Sequence, residues 1–363
     1  MTAQLERKPG FSVLRLLEAL ATPHGVDRYL ELVHPMLTIR DLRGEVTRVH
    51  RSTSDTVTLT VRPTRRWRGF SAGQFVRVGV DIDGVRRTRC YSPATSQHRA
   101  GEFELTIKAH AEGLVSRWLH SNAEPGLVLH LSQAEGTFTL PDARPDKVLL
   151  ISGGSGITPV LAMLRTLADE DHTGEVTFLH YAYTEADVPH RDELRALAER
   201  ANVNLVLAYT HADGGDLRGF FDETHLRAAA PWHAEARTYL CGPPGLMSGV
   251  RDVFTGLGLA DRLHTEEFAP APITVDAADA TGEVTFARSD RAAANSGRTL
   301  LEQAEAAGLK PEHGCRMGIC FSCNRVKTAG CTRDVRNGEL STDPDEEIQL
   351  CVSVPVGDVS IDL

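Results

Sequence analysis

The stretch HGCRMGICFSC, residues 313–323, sets three cysteines at Cys315, Cys320 and Cys323 in a chain that holds seven. Thiols so spaced serve three chemistries: a disulfide framework, a zinc site, or a cluster that carries electrons. The rest of the chain separates them. No apolar run approaches the roughly 20 residues that span a bilayer. The opening MTAQLERKPG shows no signal-peptide pattern. The expected location is cytoplasmic, where thiols stay reduced, and an odd number of cysteines cannot all pair. Disulfides are the weakest reading.

The spacing is C-x4-C-x2-C, and Cys351 follows Cys323 after 27 intervening residues, in IQLCVS. It matches the plant-type [2Fe–2S] arrangement. Gly314 and Gly318 let the loop curl so that its amides can face the cluster's sulfides. Zinc sites favour paired knuckles, and here the second pair is missing. Cys331 competes for the fourth position, but it lies only eight residues past Cys323 in what reads as a loop. The expected ligands are Cys315, Cys320, Cys323 and Cys351.

At 363 residues the chain exceeds one ordinary core, and its 41% hydrophobic and 24% charged content is that of a globular protein. The net charge of −10 argues against nucleic acid as the main partner. The charge is unevenly spread. Residues 1–100 hold 17 Lys and Arg against 9 Asp and Glu, and the remainder holds 22 against 40. A basic first part suits an anionic cofactor, although compositional drift gives the same asymmetry.

Residues 11–20, FSVLRLLEAL, have helical apolar spacing and head an N-terminal helical extension, 1–41. From 42 to 142 short runs such as DTVTLTVRP, QFVRVGVDIDG and FELTIKA, punctuated by turn residues, predict a small antiparallel barrel with one helix at GLVSRWLHS. From 143 to 270 apolar strands alternate with helices: KVLLIS, PVLAMLRTLADE, EVTFLHYAY, HRDELRALAERA, VNLVLAYT. That rhythm predicts an α/β, doubly wound parallel sheet. The segment 268–283 reads as a linker, and 271–363 as a third compact unit.

Two motif groups carry further chemistry. In RTRCYSPAT, residues 87–95, Arg89 can pair with a phosphate, Tyr91 can cover a flat heterocycle and Ser92 can reach a ring nitrogen. These are the needs of a flavin nucleotide, and the tetrapeptide alone is also an ordinary strand end. The amides of Val115 and Ser116, at a helix start, suit a pyrophosphate. In SGGSGITP, residues 152–159, Gly153, Gly154 and Gly156 allow close phosphate approach, with Thr158 and Pro159 expected as N-cap and first helical residue. A second loop, CGPPGLM, places Cys241, Gly242 and Pro243 after another strand, at the sheet edge where ligands of such folds bind.

Taken in order, RxYS, GGSGITP, CGPPG and CRMGICFSC closely resemble the ferredoxin–NADP reductase superfamily. Within it the resemblance is to fused oxygenase-type reductases, including phenylacetyl-CoA epoxidase and ketosteroid hydroxylase reductases, and, given the N-terminal extension, to actinobacterial reductases serving acyl-CoA desaturases. It covers residues 40–363 and implies a β-grasp ferredoxin domain at the C-terminus. It also implies that Tyr91 stacks on the isoalloxazine, that Ser92 bonds near N5, and that Arg89, Val115 and Ser116 hold the flavin pyrophosphate. Gly153, Gly154, Gly156 and Thr158 would hold the nicotinamide nucleotide, with Cys241 near the nicotinamide. Glu267 and Phe268 match the acidic–aromatic pair close to the flavin. FAD is favoured over FMN by GLVSRWLH. Where relatives often carry Arg-Ser, this chain reads Tyr183-Thr184-Glu185 with Asp187 nearby; such carboxylates favour NADH, while Arg191 or His211 could still serve NADPH.

The expected function is electron splitting: NAD(P)H to FAD to [2Fe–2S] to an oxygenase or fatty-acyl desaturase, the latter membrane-bound in some systems. Two alternatives stay open: a non-turnover electron-transfer subunit of a larger flavoenzyme, and a redox-sensing or metal-binding module. The Arg-rich stretch RPTRRWRGF, 62–70, reads as a solvated hairpin loop, and the acidic run Asp343 to Glu347 as a solvated turn or a docking face.

Overall fold

The computed structural model describes residues 26–111, 113–268, 280–314, 316, 318, 321–336 and 338–363. The helix expected at 11–20, most of the expected linker, Cys315 and Cys320 lie outside them. Helix α1 (Val26–Val33) leads into the first domain. It is tied down by Asp27, whose carboxylate accepts the amides of Ile39 (2.6 Å) and Arg40 (2.8 Å).

The first sheet is built from β1 (Arg43–Thr53), β2 (Thr56–Pro63), β3 (Val76–Ile82), β4 (Val85–Tyr91), β5 (Phe103–Lys108) and β6 (Val128–Leu131). It is antiparallel, in the order β4-β3-β6-β1-β2-β5. Asp83 and Gly84 both take positive φ, 51° and 76°, the two-residue hairpin geometry that an Asp-Gly pair favours. Arg89 and Tyr91 therefore lie inside β4, opposite Val78 and Val76. None of β4 is fully buried, so it carries no apolar period to read. A bridge between Pro93 and Leu105, with Ala94 N–H donating to the Glu104 carbonyl (2.8 Å), brings the end of β4 to β5 and curls the sheet around its core. That core holds Val46, Leu59, Val78, Phe103, Leu105 and Leu119, the last from α2 (Leu114–Asn122). Trp67 stacks on Phe103 at 5.1 Å, so the aromatic part of RPTRRWRGF belongs to the core while its arginines are exposed.

The second sheet joins β7 (Lys147–Gly153), β8 (Glu175–Ala182), β9 (Val203–Tyr209), β10 (Leu217–Arg218), β11 (Arg237–Cys241) and β12 (Leu263–Glu266). All are parallel, in the order β10-β9-β8-β7-β11-β12. Helices α3 (Ile157–Asp169) and α4 (Arg191–Leu197) cover one face, and α5 (Glu223–Ala229) and α6 (Pro244–Gly256) the other. The chain winds outward from β7 in both directions, which leaves a crevice at the carboxyl ends of β7 and β11. Ala72, Ala94, Phe138 and Leu140 of the first domain share one core with α3. Burying apolar surface from both domains in a single core makes them one rigid unit. Arg165 of α3 reinforces the seam, donating to the Ala94 carbonyl (2.7 Å), Glu104 (3.0 Å) and Glu193 (2.6 Å).

The third unit has its own core, including Phe286, Leu300, Leu350, Val352 and Ile361. Its sheet comprises β13 (Glu283–Phe286), β14 (Arg291–Ala294), β15 (Asn324–Asp334), β16 (Leu340–Ser341), β17 (Glu346–Gln349) and β18 (Ser353–Ile361). The order is β14-β13-β18-β15-β16, with β17 also on β15; β13 and β18 are parallel and the other pairs antiparallel. Helix α7 (Leu300–Ala306) packs on it, its start fixed by a reciprocal capping box of Thr299 and Glu302. Cys331, expected in a loop, lies within β15. The sequence hides this strand because NRVKTAGCTRD has no alternation. Lys327 at its centre is fully buried, its ammonium held by the carbonyls of Gly330 (3.2 Å) and Asp343 (2.5 Å).

Candidate functional site

The candidate residues lie at the end of β4, at the start of α2, on two loops at the edge of the parallel sheet and after β12. Tyr91 closes β4, and burial pushes its phenol pKa well up, so the ring stays neutral. Ser92 follows, 2% exposed, and its Oγ has no hydrogen-bond partner. A buried hydroxyl left unpaired costs about 1–3 kcal/mol, so it marks a place where a ligand atom belongs. This orphaned oxygen fits the flavin that the RxYS reading implies. Arg89, two residues back on the same face of β4, donates from Nη1 to its neighbour's carbonyl at Thr88 (2.8 Å) and to the carbonyl of Gly314 (2.7 Å). Val115 and Ser116 sit in the first turn of α2, both buried, where amides lack intrahelical acceptors. A Cβ on the preceding Gly113 would lie 2.3 Å from Ser116 Oγ, so a larger residue there would turn the serine hydroxyl out of its present place.

At the sheet edge the two Gly-rich loops interlock. A Cβ on Gly156 would lie 2.2 Å from the Cys241 carbonyl oxygen, and one on Gly153 would lie 2.9 Å from Pro243 Cδ. Gly154 takes φ +52° as the chain turns from β7 through a short 3-10 turn into α3. Helix α3 starts at Ile157 with Gly156 as N-cap, two residues earlier than expected. Thr158 therefore lies inside the first turn, buried, with its hydroxyl 3.4 Å from the Ser155 carbonyl, and Pro159 follows it at the third position. The 3-10 turn supplies the entry that a side-chain cap usually provides. Pro243 caps α6, so Gly242 and Pro243 form the floor between the two loops.

Cys241 ends β11 and is fully buried; burial first, then Glu266 and Glu267, raises its thiol pKa well above the usual range. It is a neutral thiol. Glu266 pairs with Cys241 across β11 and β12 and is itself pushed up to about 7 by burial and by Glu267. Glu267, the sequence candidate, forms an ion pair with Arg251, which also reaches Thr265 (3.2 Å). Phe268 follows, half-buried. Motif matching passed over Glu266; the run Glu266-Glu267 was the available signal, since two adjacent carboxylates at a strand end cannot both point to solvent.

The segment after β8 differs from expectation. Asp187 is engaged by the Thr184 amide (3.0 Å) and hydroxyl (2.7 Å), and Glu185 by Arg191 (3.3 Å) and Arg195 (2.8 Å). Both bonds to Asp187 fall on Oδ2, and Asp187 lines a small cavity with Gly154 and Ser155 of the glycine turn, while the two arginines offset the charge of Glu185. Tyr183 is exposed and meets His211 edge-on at 4.8 Å, with Lys108 of β5 5.7 Å from its ring centre.

In the third unit, Cys323 and Cys351 are buried in its core. The Gly318 amide donates to Cys351 Sγ at 3.3 Å, bringing the fourth cysteine to the loop of the other three. Gly318 takes φ +72° and its carbonyl accepts from Arg336 (2.6 Å), so the loop is pinned where the amide points at sulfur.

A barrel with an orphaned buried hydroxyl, set against a parallel sheet with two interlocked glycine turns, fits a flavin- and pyridine-nucleotide-dependent oxidoreductase. The family models agree: an oxidoreductase FAD-binding domain matches residues 44–140 and an oxidoreductase NAD-binding domain matches 150–252. The chain belongs to the ferredoxin–NADP reductase superfamily. It is 38% identical to an NADPH oxidoreductase of Mycobacterium tuberculosis, over 99% of this chain and 95% of the relative. It is 34% identical to the glycine betaine monooxygenase reductase subunit of Pseudomonas aeruginosa, over 81% and 87%. Phthalate dioxygenase reductase, described as modular for electron transfer from pyridine nucleotides to [2Fe–2S], shares the fold with a TM-score of 0.61 at 24% identity, over 89% of this chain and 98% of that one.

Proposed function

We propose that the chain passes electrons from NADPH through FAD to a [2Fe–2S] cluster held by Cys315, Cys320, Cys323 and Cys351, and from there to an oxygenase or fatty-acyl desaturase. The observation that carries the cluster is the Gly318 amide donating to Cys351 Sγ, since amides aimed at ligand sulfur are what such a cluster requires. The third unit, 271–363, is then a β-grasp ferredoxin domain, following an extension at 1–41, a flavin barrel at 42–142 and a nucleotide domain at 143–270. FAD held by Arg89, Tyr91, Ser92 and the first turn of α2 would supply the conversion of a two-electron hydride donor into single-electron transfer.

The chain's own residues bind and position. Tyr91 covers one side of the ring site and Ser92 offers its hydroxyl to it, while Arg89 and the first turn of α2 provide for the flavin's phosphates. Gly153, Gly154 and Gly156 let the nucleotide's phosphates approach the start of α3, with Thr158 and Gly242-Pro243 completing the walls. Cys241 is a dry, neutral surface beside the nicotinamide site. Glu266 can hold or release a proton near neutral pH, and Glu267 with Arg251 and Phe268 closes the end of the crevice. NADPH is favoured because Arg191 and Arg195 offset the charge of Glu185, and a 38% identical relative carries that cofactor's name.

The acceptor class follows the relatives, several of which are oxygenase reductase subunits. No described helix is long and apolar enough to cross a membrane. Iron, acid-labile sulfide and flavin contents test the core of the proposal. About two irons and two sulfides per chain are expected, both lost in Cys351→Ser with flavin retained. Zinc without sulfide would overturn it. A kcat/KM ratio favouring NADH over NADPH would reverse the nucleotide assignment alone.

A further inference from the structure

The barrel and the parallel sheet are locked by a shared core, whereas the third unit packs around a core of its own. Something must hold that unit in place. Arg89 reaches across: Nη1 donates to the Gly314 carbonyl at 2.7 Å, joining residues 225 positions apart. Two features make this contact more than an incidental touch. Gly314 immediately precedes Cys315. Arg89 and Tyr91 share a face of β4, because side chains two apart on a strand point the same way. The cysteine loop is thus brought to the face of the strand that presents the flavin-stacking tyrosine.

The loop is braced from its own side. Arg316 pairs with Glu305 of α7 and contacts His313 Nε2 (3.1 Å), and His313 Nδ1 bonds the Pro311 carbonyl (3.0 Å). A pull on Gly314 is therefore transmitted to the whole third unit. A carbonyl accepting from a guanidinium makes a charge-assisted bond, stronger than a neutral one. The same Nη1 donates to the Thr88 carbonyl, so two acceptors fix the plane of a guanidinium fork that lysine lacks.

We propose that Arg89 is a docking clasp as well as a flavin-phosphate residue: one guanidinium holds the cysteine loop against the flavin strand and so sets the distance over which electrons pass to the third unit. The inference rests on the cluster reading above for its consequence, but the clasp itself does not. Arg89 is a positioning residue in this second role.

Hydrogen–deuterium exchange on the flavin-loaded protein, kept in excess FAD with flavin content measured, tests the clasp directly. In Arg89→Gln, amides near Gly314 and in β4 should exchange about tenfold faster, while α3 and β15 stay unchanged. Arg89→Lys, which keeps the charge without the fork, should fall between. In rapid mixing with NADPH, the ratio of cluster bleaching to flavin bleaching rates should drop about tenfold in Arg89→Gln. Unchanged exchange near Gly314 in both variants would overturn the clasp. Faster exchange in protein lacking iron and sulfide would keep the clasp and sink the cluster.

Discussion

Gly156→Ala separates space from backbone conformation at the centre of the nucleotide site. Gly156 has φ −67°, an ordinary helical value, so alanine suits its backbone and gains about 0.5–1 kcal/mol over glycine there. Space opposes it. The new Cβ would lie 2.2 Å from the Cys241 carbonyl oxygen, 2.4 Å from its carbon and 2.6 Å from the Gly242 nitrogen. All three are backbone atoms that cannot rotate away, so the two loops must part by most of an ångström. Overpacking of this kind costs about 1–3 kcal/mol, which outweighs the backbone gain. A 1 Å misplacement at a reacting site costs about 10²-fold. We expect a modest fall in thermal midpoint, unchanged flavin content, and kcat/KM for NADPH about 10²-fold lower with ferricyanide as acceptor. Gly154→Ala is the control: φ +52° makes it strained by about 1–2 kcal/mol, yet no atom lies within 4 Å of its Cβ. It should lose stability and weaken NADPH binding, because its Cβ enters the space given to the phosphates, but keep kcat at saturating NADPH near normal, because the two loops stay together. A Gly156→Ala protein with normal kcat/KM would refute the interlock.

Glu266, raised to about 7 by burial and by Glu267, binds a proton in the folded chain that the unfolded chain has released above its ordinary range near 4.5. Its contribution to stability is present below that range and lost as pH rises towards 7, by at most about 1.4 kcal/mol per pH unit, and Glu266→Gln should flatten this limb of a thermal-stability profile. Phe321 combines φ +55° with 60% exposure, so Phe321→Gly should raise the thermal midpoint by relieving about 1 kcal/mol of backbone strain; a lower midpoint would show that the ring packs. Arg165→Met leaves Glu104 partly buried without its partner across the seam, and should cost about 3–5 kcal/mol in unfolding experiments, with the loss confined to the barrel and nucleotide transition.

Where the sequence was legible, one physical period dominated. KVLLIS and EVTFLHYAY read as buried parallel strands because helices cover both faces. Elsewhere the cause of structure was not in local pattern. β4 faces the crevice and a neighbouring unit, so VRRTRCY shows no apolar alternation. β15 buries a lysine satisfied by two carbonyls, an arrangement visible only in three dimensions. Thr158 looked like a cap because Thr-Pro suits a helix start, but a 3-10 turn of glycines begins the helix first. The capping box that joins Asp187 to Thr184 was equally out of reach of a linear reading, since it depends on the short 3-10 turn after β8. Glu266 and the reach of Arg89 to Gly314 depend on strand pairing and domain packing, which no short motif encodes.

The most direct measurement is the visible spectrum of the purified protein, recorded without oxygen as NADPH is added. Flavin and iron–sulfur absorbance should both bleach on the turnover timescale, the cluster after the flavin. Flavin bleaching with no iron–sulfur band, in folded protein never exposed to oxygen, would contradict the path through Cys315, Cys320, Cys323 and Cys351 and leave a flavin reductase alone.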